Sequence, residues 1–393
     1  MTVREQVALS GYTTLGLGGP AARFVEAGSD EEVLATVRAA DRDGEPVLVL
    51  GGGSNLVVAD EGFPGTVIRM LTRGVRVLAD GNAALVTVAA GEDWDPLVER
   101  CGADGLSGIE CLSGIPGLVG ATPIQNVGAY GQEVAETIVA VRAYDRVRGL
   151  VVEMSNADCG FGYRTSVFKR GASAAAGTAG FRAAEPGVVG SGAAPRSATG
   201  QFVVLGVTFR LARDPESAPV RYGELARALG VEQGGRALLA DVRAAVLRLR
   251  RRKGMVLDPE DLDTRSAGSF FTNPVLGQGQ FAALEQVIAA ACGPGAQIPR
   301  YPAEAGQVKV SAAWLIEHAG FAKGYPGDRS RPADQPGQQT SGPRISTKHT
   351  LALVNPGGSS TKALLDLAAE ITTGVRETFG IELAREPVLV TTS

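Results

Sequence analysis

The chain has 393 residues, 44% hydrophobic and 20% charged, with a net charge of −4. That length suits roughly two to three domains with full cores, and the composition is that of a folded soluble protein. The slight acidic excess speaks against a general nucleic-acid binder, although a local basic pocket for an anionic ligand stays open.

The N-terminal residues Met1 to Val7 carry an acid and lack an apolar leader, and no run is long enough to span a bilayer. Cys101, Cys111, Cys159 and Cys292 show no metal-ligand spacing and read as reduced thiols. A cytoplasmic protein with no membrane or nucleic-acid partner is therefore expected. His318 and His349 are the only histidines, too little for a histidine-based metal site or a Ser-His-Asp triad, so no metal is expected.

The first region, residues 1–70, mixes strand and helix. Ser29-Asp30-Glu31-Glu32 predicts a capping box opening a helix through Ala40, with Val33, Leu34 and Val37 on one side. Pro46 to Leu50 reads as a buried strand, followed by Gly51-Gly52-Gly53-Ser54-Asn55 and then the apolar Leu56-Val57-Val58. A dinucleotide fingerprint would need GxGxxG opening a helix, so that reading fails. An anion-binding nest of backbone N–H groups and a plain tight turn both remain open.

The second region, 71–213, is strand-rich: Leu85 to Val88, Ile138 to Tyr144, Leu150 to Met154 and Phe202 to Leu211. It also holds a long block, Ser113-Gly114-Ile115-Pro116-Gly117 through Gly120, Ala121, Gln125, Asn126, Gly128, Ala129 and Tyr130 to Gly131. Its glycines and prolines preclude a regular helix, and its amides suit the polar edge of a flat heterocycle. An uncharged loop of this length favours a cofactor cradle over an irregular structural loop.

The third region, 214–380, opens with helices. Asp241 to Lys253 reads as a helix with the apolar stripe Val242, Ala245, Val246 and Leu249. Lys253 continues that stripe and suits a diphosphate, the alternative being a lysine reaching solvent beyond the helix end. Arg248 and Arg251 lie off the stripe. Gly268-Ser269-Phe270-Phe271-Thr272-Asn273-Pro274 follows; if extended, it aligns Ser269, Phe271 and Asn273 on one face as a ligand wall. A strand from Thr350 to Val354, a helix from Thr361 to about Phe379 and a strand from Pro387 to Val390 end the chain. Two segments, 171–200 and 325–343, are poor in large apolar residues and read as inserted surface loops.

Taken together, Gly51 to Asn55, the Ile115 to Gly131 block, Gly162-Tyr163-Arg164, Ala267 to Phe271 with Asn273-Pro274, and the late Glu386-Pro387 resemble the UDP-N-acetylenolpyruvoylglucosamine reductase family, in the same order along the chain. The resemblance implies an α+β fold. It comprises an FAD-binding domain of the p-cresol methylhydroxylase type in two α+β subdomains (1–70 and 71–213) and a C-terminal α+β substrate-binding domain (214–380). The last strand, within 381–393, would return near the first subdomain. It also implies non-covalent FAD, NADPH as reductant, a nucleotide-sugar substrate, a monomer, and a place in peptidoglycan precursor synthesis, hence in cell shape and division.

By the same resemblance Ser269 is the proton donor, Arg164 steadies the substrate carboxylate and Glu386 is the catalytic carboxylate. Arg385 stands before Glu386 where relatives often have proline, so Glu382 is the fallback. The Gly51 to Asn55 turn and the residues named in the Ser113 to Gly131 block, Tyr130 excepted, would hold the cofactor. Tyr222, Lys253, Asn273, Tyr163 and Tyr130 would hold the substrate. A flavin oxidase of the same superfamily and a catalytically dead nucleotide-sugar scaffold are the alternatives. Both histidines lie beyond residue 317, which leaves no N-terminal histidine for covalent flavin attachment.

Overall fold

The computed structural model describes residues 1–169, 199–301, 303, 305–327 and 342–391. The segment expected as an insertion at 171–200 therefore lies outside the described residues except for Thr199 and Gly200. Of the one at 325–343, only 325–327 and 342–343 are described. The chain divides into two compact units: Met1–Val7, Pro20–Gly52 and Phe63–Arg250 in the first, and Ala8–Gly19, Gly53–Gly62 and Arg251–Ser393 in the second.

In the first unit the strands Thr2–Ala8, Pro20–Ala27, Phe63–Met70 and Val47–Leu50 form one sheet in that order, and the last three run parallel. Parallel neighbours need a crossover, and helix α1 (Asp30–Asp43) supplies it. The Ser29 hydroxyl accepts from Glu32 N at 3.3 Å, as a cap should. The Glu32 carboxylate, however, reaches past the expected capping-box position to Gly28 N at 2.8 Å. A second, antiparallel sheet runs Leu150–Ser155, Ile138–Asp145, Phe202–Arg213, Ala83–Ala89, Val75–Asp80. Helix α2 (Trp94–Ala103) closes the core beside it, with Trp94 buried and its Nε1 donating to Leu112 O at 3.1 Å. A short helix α3 (Asn156–Cys159) completes this part.

Residues 214–250 depart from the expected division. Instead of opening the substrate domain, α4 (Gly223–Leu229) and α5 (Leu239–Arg252) belong to the first unit through Arg250. The cause is apolar: Val220, Leu225, Val242, Ala245, Val246 and Leu249 form one core with Cys111, and Tyr130 and Tyr222 pack on it. The stripe expected on α5 is the one buried, while Arg248 and Arg251 are exposed.

The second unit holds two small antiparallel sheets. In one, Ser266–Ser269 pairs with Ala352–Val354, which pairs with Arg344–Ile345. In the other, Gln307–Val310 lies between Val275–Gly277 and Arg300–Tyr301. Helices α6 (Gln278–Cys292), α7 (Ala312–His318) and α8 (Thr361–Phe379) cover them. Along α8, Leu364, Leu367, Ala368, Ile371, Val375 and Phe379 recur at helical spacing and are all buried. The last strand, Val388–Val390, pairs in parallel with Leu56–Val58, and Val388 N donates to Asn55 O at 2.9 Å. Tyr325, expected in a surface loop, instead packs its ring 4.9 Å from that of Phe321 and donates its hydroxyl to Glu370. No helix among the described residues is long and apolar enough to cross a membrane.

Candidate active site

The second unit brings Ser269 and Glu386 together. Glu386 N donates to Phe270 O at 2.9 Å, Phe271 bridges Arg385, and Thr272 N donates to Ala384 O at 3.0 Å. The residue paired with Phe270, one position from the serine, is Glu386, half-buried, whereas Glu382 is exposed. The alternating ligand wall does not form. Gly268 is left-handed (φ 72) and the ladder slips between Ser266 and Ser269, so the strand ends at Ser269. Phe270 and Phe271 are then both about 1% exposed, their rings 5.3 Å apart edge to face. Ser269 stays half-buried at the strand end, the position from which a hydroxyl can face a ligand.

Asn273 is oriented by its own amide oxygen, which accepts from Ala312 N at 3.0 Å, at the start of α7. That leaves its NH2 as the group to offer a ligand. Lys253 follows α5 directly and is half-buried. Gly254 after it is left-handed (φ 65), and a Cβ there would lie 3.1 Å from Asp263 O. Asp263, 3% exposed, accepts from Arg344 Nη2 at 2.8 Å and from Thr347 N at 3.0 Å. A buried carboxylate with an arginine and an N–H is satisfied and locks the loop after Lys253.

The first unit carries Arg164, Tyr163, Tyr130, Tyr222 and most of the glycine-rich loops. Arg164 is itself left-handed (φ 54), and its Nη2 donates to Gly128 O at 2.9 Å. A guanidinium has five N–H donors in a plane, and this bond orients the fork. The guanidinium also lies over the Tyr163 ring at 5.7 Å.

Asn126, expected to meet a ligand's polar edge, is 1% exposed and spends its amide internally. Nδ2 donates to Glu133 and to Gly162 O, and Oδ1 accepts from Ala135 N. Ser113 is likewise buried, its hydroxyl on Glu110 O at 2.7 Å. Gln125 accepts from Lys169 at 3.3 Å. Ile115, Pro116, Gly117, Gly128, Ala129 and Tyr130 are half-buried, and Ala121 and Gly131 exposed, so these line the accessible side of the block.

Glycine matters where backbones meet. A Cβ on Gly52 would sit 2.7 Å from Gly117 Cα, so the two glycine-rich loops touch main chain to main chain. In the second unit a Cβ on Gly53 would lie 1.9 Å from Tyr12 O, at φ 62. Gly120 packs on Ala90, where a Cβ would come within 2.5 Å. A pair of loops joined this closely makes a continuous backbone surface without side-chain bulk, the kind a flat cofactor with a diphosphate can lie against.

Several charged residues at this site carry no motif. Asp95 accepts from Gly114 N at 2.6 Å and takes a two-pronged contact from Arg243 of α5, at 2.6 and 3.0 Å. Burial raises the Asp95 carboxyl, and the hydrogen bonds of Arg243 and Gly114 with the charges of Arg243 and Arg250 outweigh it, holding it below the usual range. Arg250 is pushed down to about 10 by burial, opposed by Tyr130 and Asp95. Burial also pushes Tyr130 up to about 12, and its ring meets that of Tyr222 edge to face at 5.6 Å. Both arginines were legible in principle: 243, 246 and 250 stand at i, i+3 and i+7, so they flank the buried Val246. An open depression of about 500 Å3 in this unit, lined by Glu136, Arg210, Asp214 and Arg236 among others, contains none of the motif residues.

Residues 21–155 match an FAD binding domain family, and residues 258–390 match the C-terminal domain of UDP-N-acetylenolpyruvoylglucosamine reductase. Proteins bearing that reductase name from Thermobifida fusca and Streptomyces coelicolor are 52% and 51% identical. The matches cover 98% and 97% of this chain and 97% and 88% of theirs. The crystal structure of the reductase from Thermus caldophilus superposes with a TM-score of 0.59 at 26% identity, covering 99% of this chain and all of that one. The α+β architecture, the FAD-binding-domain match and the near-complete coverage agree: the chain belongs to the UDP-N-acetylenolpyruvoylglucosamine reductase family.

Proposed function

We propose that the protein reduces the enolpyruvyl ether of UDP-N-acetylglucosamine enolpyruvate to the lactyl ether of UDP-N-acetylmuramate, with NADPH as the reductant. The observation that carries this reading is the backbone pairing of Phe270 and Thr272 with Ala384 and Glu386, which supports Ser269 and Glu386 working side by side. Gly51 to Asn55 and the accessible side of the Ser113 to Gly131 block are the surfaces suited to hold FAD, which when bound supplies the hydride.

Addition of hydride to the methylene carbon leaves enolate character on its neighbour. A carbon that basic takes a proton even from an alcohol, so Ser269 suffices as donor. The negative charge spreading into the substrate carboxylate calls for a fixed donor, and Arg164, oriented by Gly128 O, fits that role. Glu386 steers the proton-donating hydroxyl. Lys253, the Asn273 amide, Tyr222, Tyr130 and Tyr163 bind the nucleotide sugar.

The test is spectroscopic. Purified protein should show flavin absorbance that NADPH bleaches and the enolpyruvyl nucleotide sugar restores without oxygen. Bleaching with recovery only in air would instead indicate an oxidase, and absence of flavin bands would indicate a scaffold.

A further inference from the structure

Among the described residues, four that are not glycine hold a positive φ: Gln6, Asn126, Tyr130 and Arg164. Three of these four belong to two neighbouring loops, 122–131 and 162–169. Left-handed backbone is costly for a residue with a Cβ and persists only where its surroundings enforce it.

The enforcement is visible as four side-chain ties between the loops. Asn126 Nδ2 donates to Gly162 O at 3.2 Å, Ser166 Oγ to Ile124 O at 2.6 Å, Arg164 Nη2 to Gly128 O at 2.9 Å, and Lys169 Nζ to Gln125 Oε1 at 3.3 Å. Lys169 also grips the main chain of Arg164, donating to its carbonyl oxygen at 3.1 Å. Lys169 is half-buried, and burying an ammonium is justified only by acceptors held in place.

We propose that Lys169 is a positioning residue for the reaction: its ammonium clamps the Arg164 carbonyl against the Gln125 amide and so holds the arginine in its left-handed, forward-reaching conformation. The inference rests on the reading of Arg164 as the group that steadies the substrate carboxylate. Removing the clamp should let Arg164 relax toward ordinary backbone angles and withdraw its fork by a distance on the order of an ångström. A misplacement of that size costs about a hundredfold in rate when it falls on an orienting group.

The test is stopped-flow measurement of the two half-reactions in Lys169→Met, Arg164→Ala and the double variant, with folding checked by circular dichroism. We expect Lys169→Met to slow reoxidation by the enolpyruvyl nucleotide sugar between about tenfold and a hundredfold. Reduction by NADPH should stay near its original rate, and kcat should fall more than KM rises. In the Arg164→Ala background the same change should add nothing, and Lys169→Arg should restore part of the rate. In a crystal structure of Lys169→Met, Arg164 should have left the left-handed region. Should the methionine variant fail to fold, Lys169→Gln, which keeps a donor but shortens its reach, must still slow the same half-reaction. Equal slowing by Lys169→Met with and without Arg164, or equal loss in both half-reactions, would overturn the clamp while leaving the arginine's role intact. Reoxidation at the original rate in Arg164→Ala would instead overturn the underlying reading.

Discussion

Replacing Asp95 by alanine tests whether the loop at Gly114 is held by charge. The carboxylate accepts three short bonds, one from Gly114 N and two from Arg243. Hydrogen bonds to a charged group contribute about 1.5–3 kcal/mol each, and breaking a buried pair costs about 3–5 kcal/mol. Two facts reduce that figure here. Asp95 keeps 32% of its side chain exposed, and Glu99 stands 3.6 Å from Arg243 as a substitute partner. A loss of about 2–3 kcal/mol in urea unfolding is therefore expected for Asp95→Ala, and roughly half of that for Asp95→Asn, which keeps an acceptor. The pH dependence has a definite sign. Asp95 titrates below its ordinary value in the fold, so its contribution is complete above the unfolded carboxyl pKa of about 4 and fades as pH falls through the lower folded value. The stability gap between wild type and Asp95→Asn should be flat from pH 7 to about 5 and narrow below about 4. Bound flavin should also be lost more readily on gel filtration, because Gly114 is no longer anchored. A gap under about 0.5 kcal/mol, typical of an ordinary surface change, or one unchanged at the lowest pH at which the protein stays folded, would refute this reasoning.

Other outcomes follow from the same geometry. Gly53→Ala drives a Cβ to 1.9 Å from Tyr12 O at φ 62, so it should cost more than about 2 kcal/mol, read as a lower thermal midpoint. Ser269→Ala should slow reoxidation by substrate by about 10²-fold or more while NADPH still bleaches the flavin normally, since only the second half-reaction consumes the proton. Equal loss in both halves would remove the serine from that role. Lys253→Ala should raise the KM for the nucleotide sugar about tenfold or more with a smaller change in kcat, as loss of a charge-assisted contact remote from the chemistry does. An unchanged KM would take Lys253 out of the pocket.

Periodicity and turn chemistry made most of the elements legible, because they depend on neighbours in the chain. The stripe on Leu239–Arg252 and the helix Thr361–Phe379 were readable for that reason. What misled was local conformation at single residues. Strict alternation through Ser269 to Asn273 assumed an unbroken strand, and one left-handed glycine at 268 was enough to bury Phe270 and Phe271 together. Asn126 looked like a ligand-facing amide because its type suits one, yet its three bonds close on Glu133, Gly162 and Ala135. Asp95, Arg243, Arg250 and Lys169 belong to no motif, and a lone charge in sequence is most often a solvated one. Asp95 and Lys169 are distinguished only by their tertiary partners, whereas the helical spacing of Arg243 and Arg250 around Val246 is in the sequence.

The pairing around Glu386 shows how a motif at the far end of the chain is held in place without being locally constrained. Its placement depends on its amide, which holds Phe270 O, and on its neighbours Arg385 and Ala384, which engage Phe271 and Thr272. None of these contacts uses the carboxylate. Backbone pairing tolerates any residue other than proline at such a position, so the fold delivers residue 386 opposite Phe270, one residue from Ser269, whatever its side chain is. Glu386→Gln keeps each of these main-chain bonds, and should alter the reaction with substrate more than it lowers the thermal midpoint. The same logic separates the two kinds of residue in this protein. Gly53, Gly120 and Asn126 are constrained by what they pack against or bond to. Ser269 and Glu386 are carried into position by main-chain bonds that do not need their side chains.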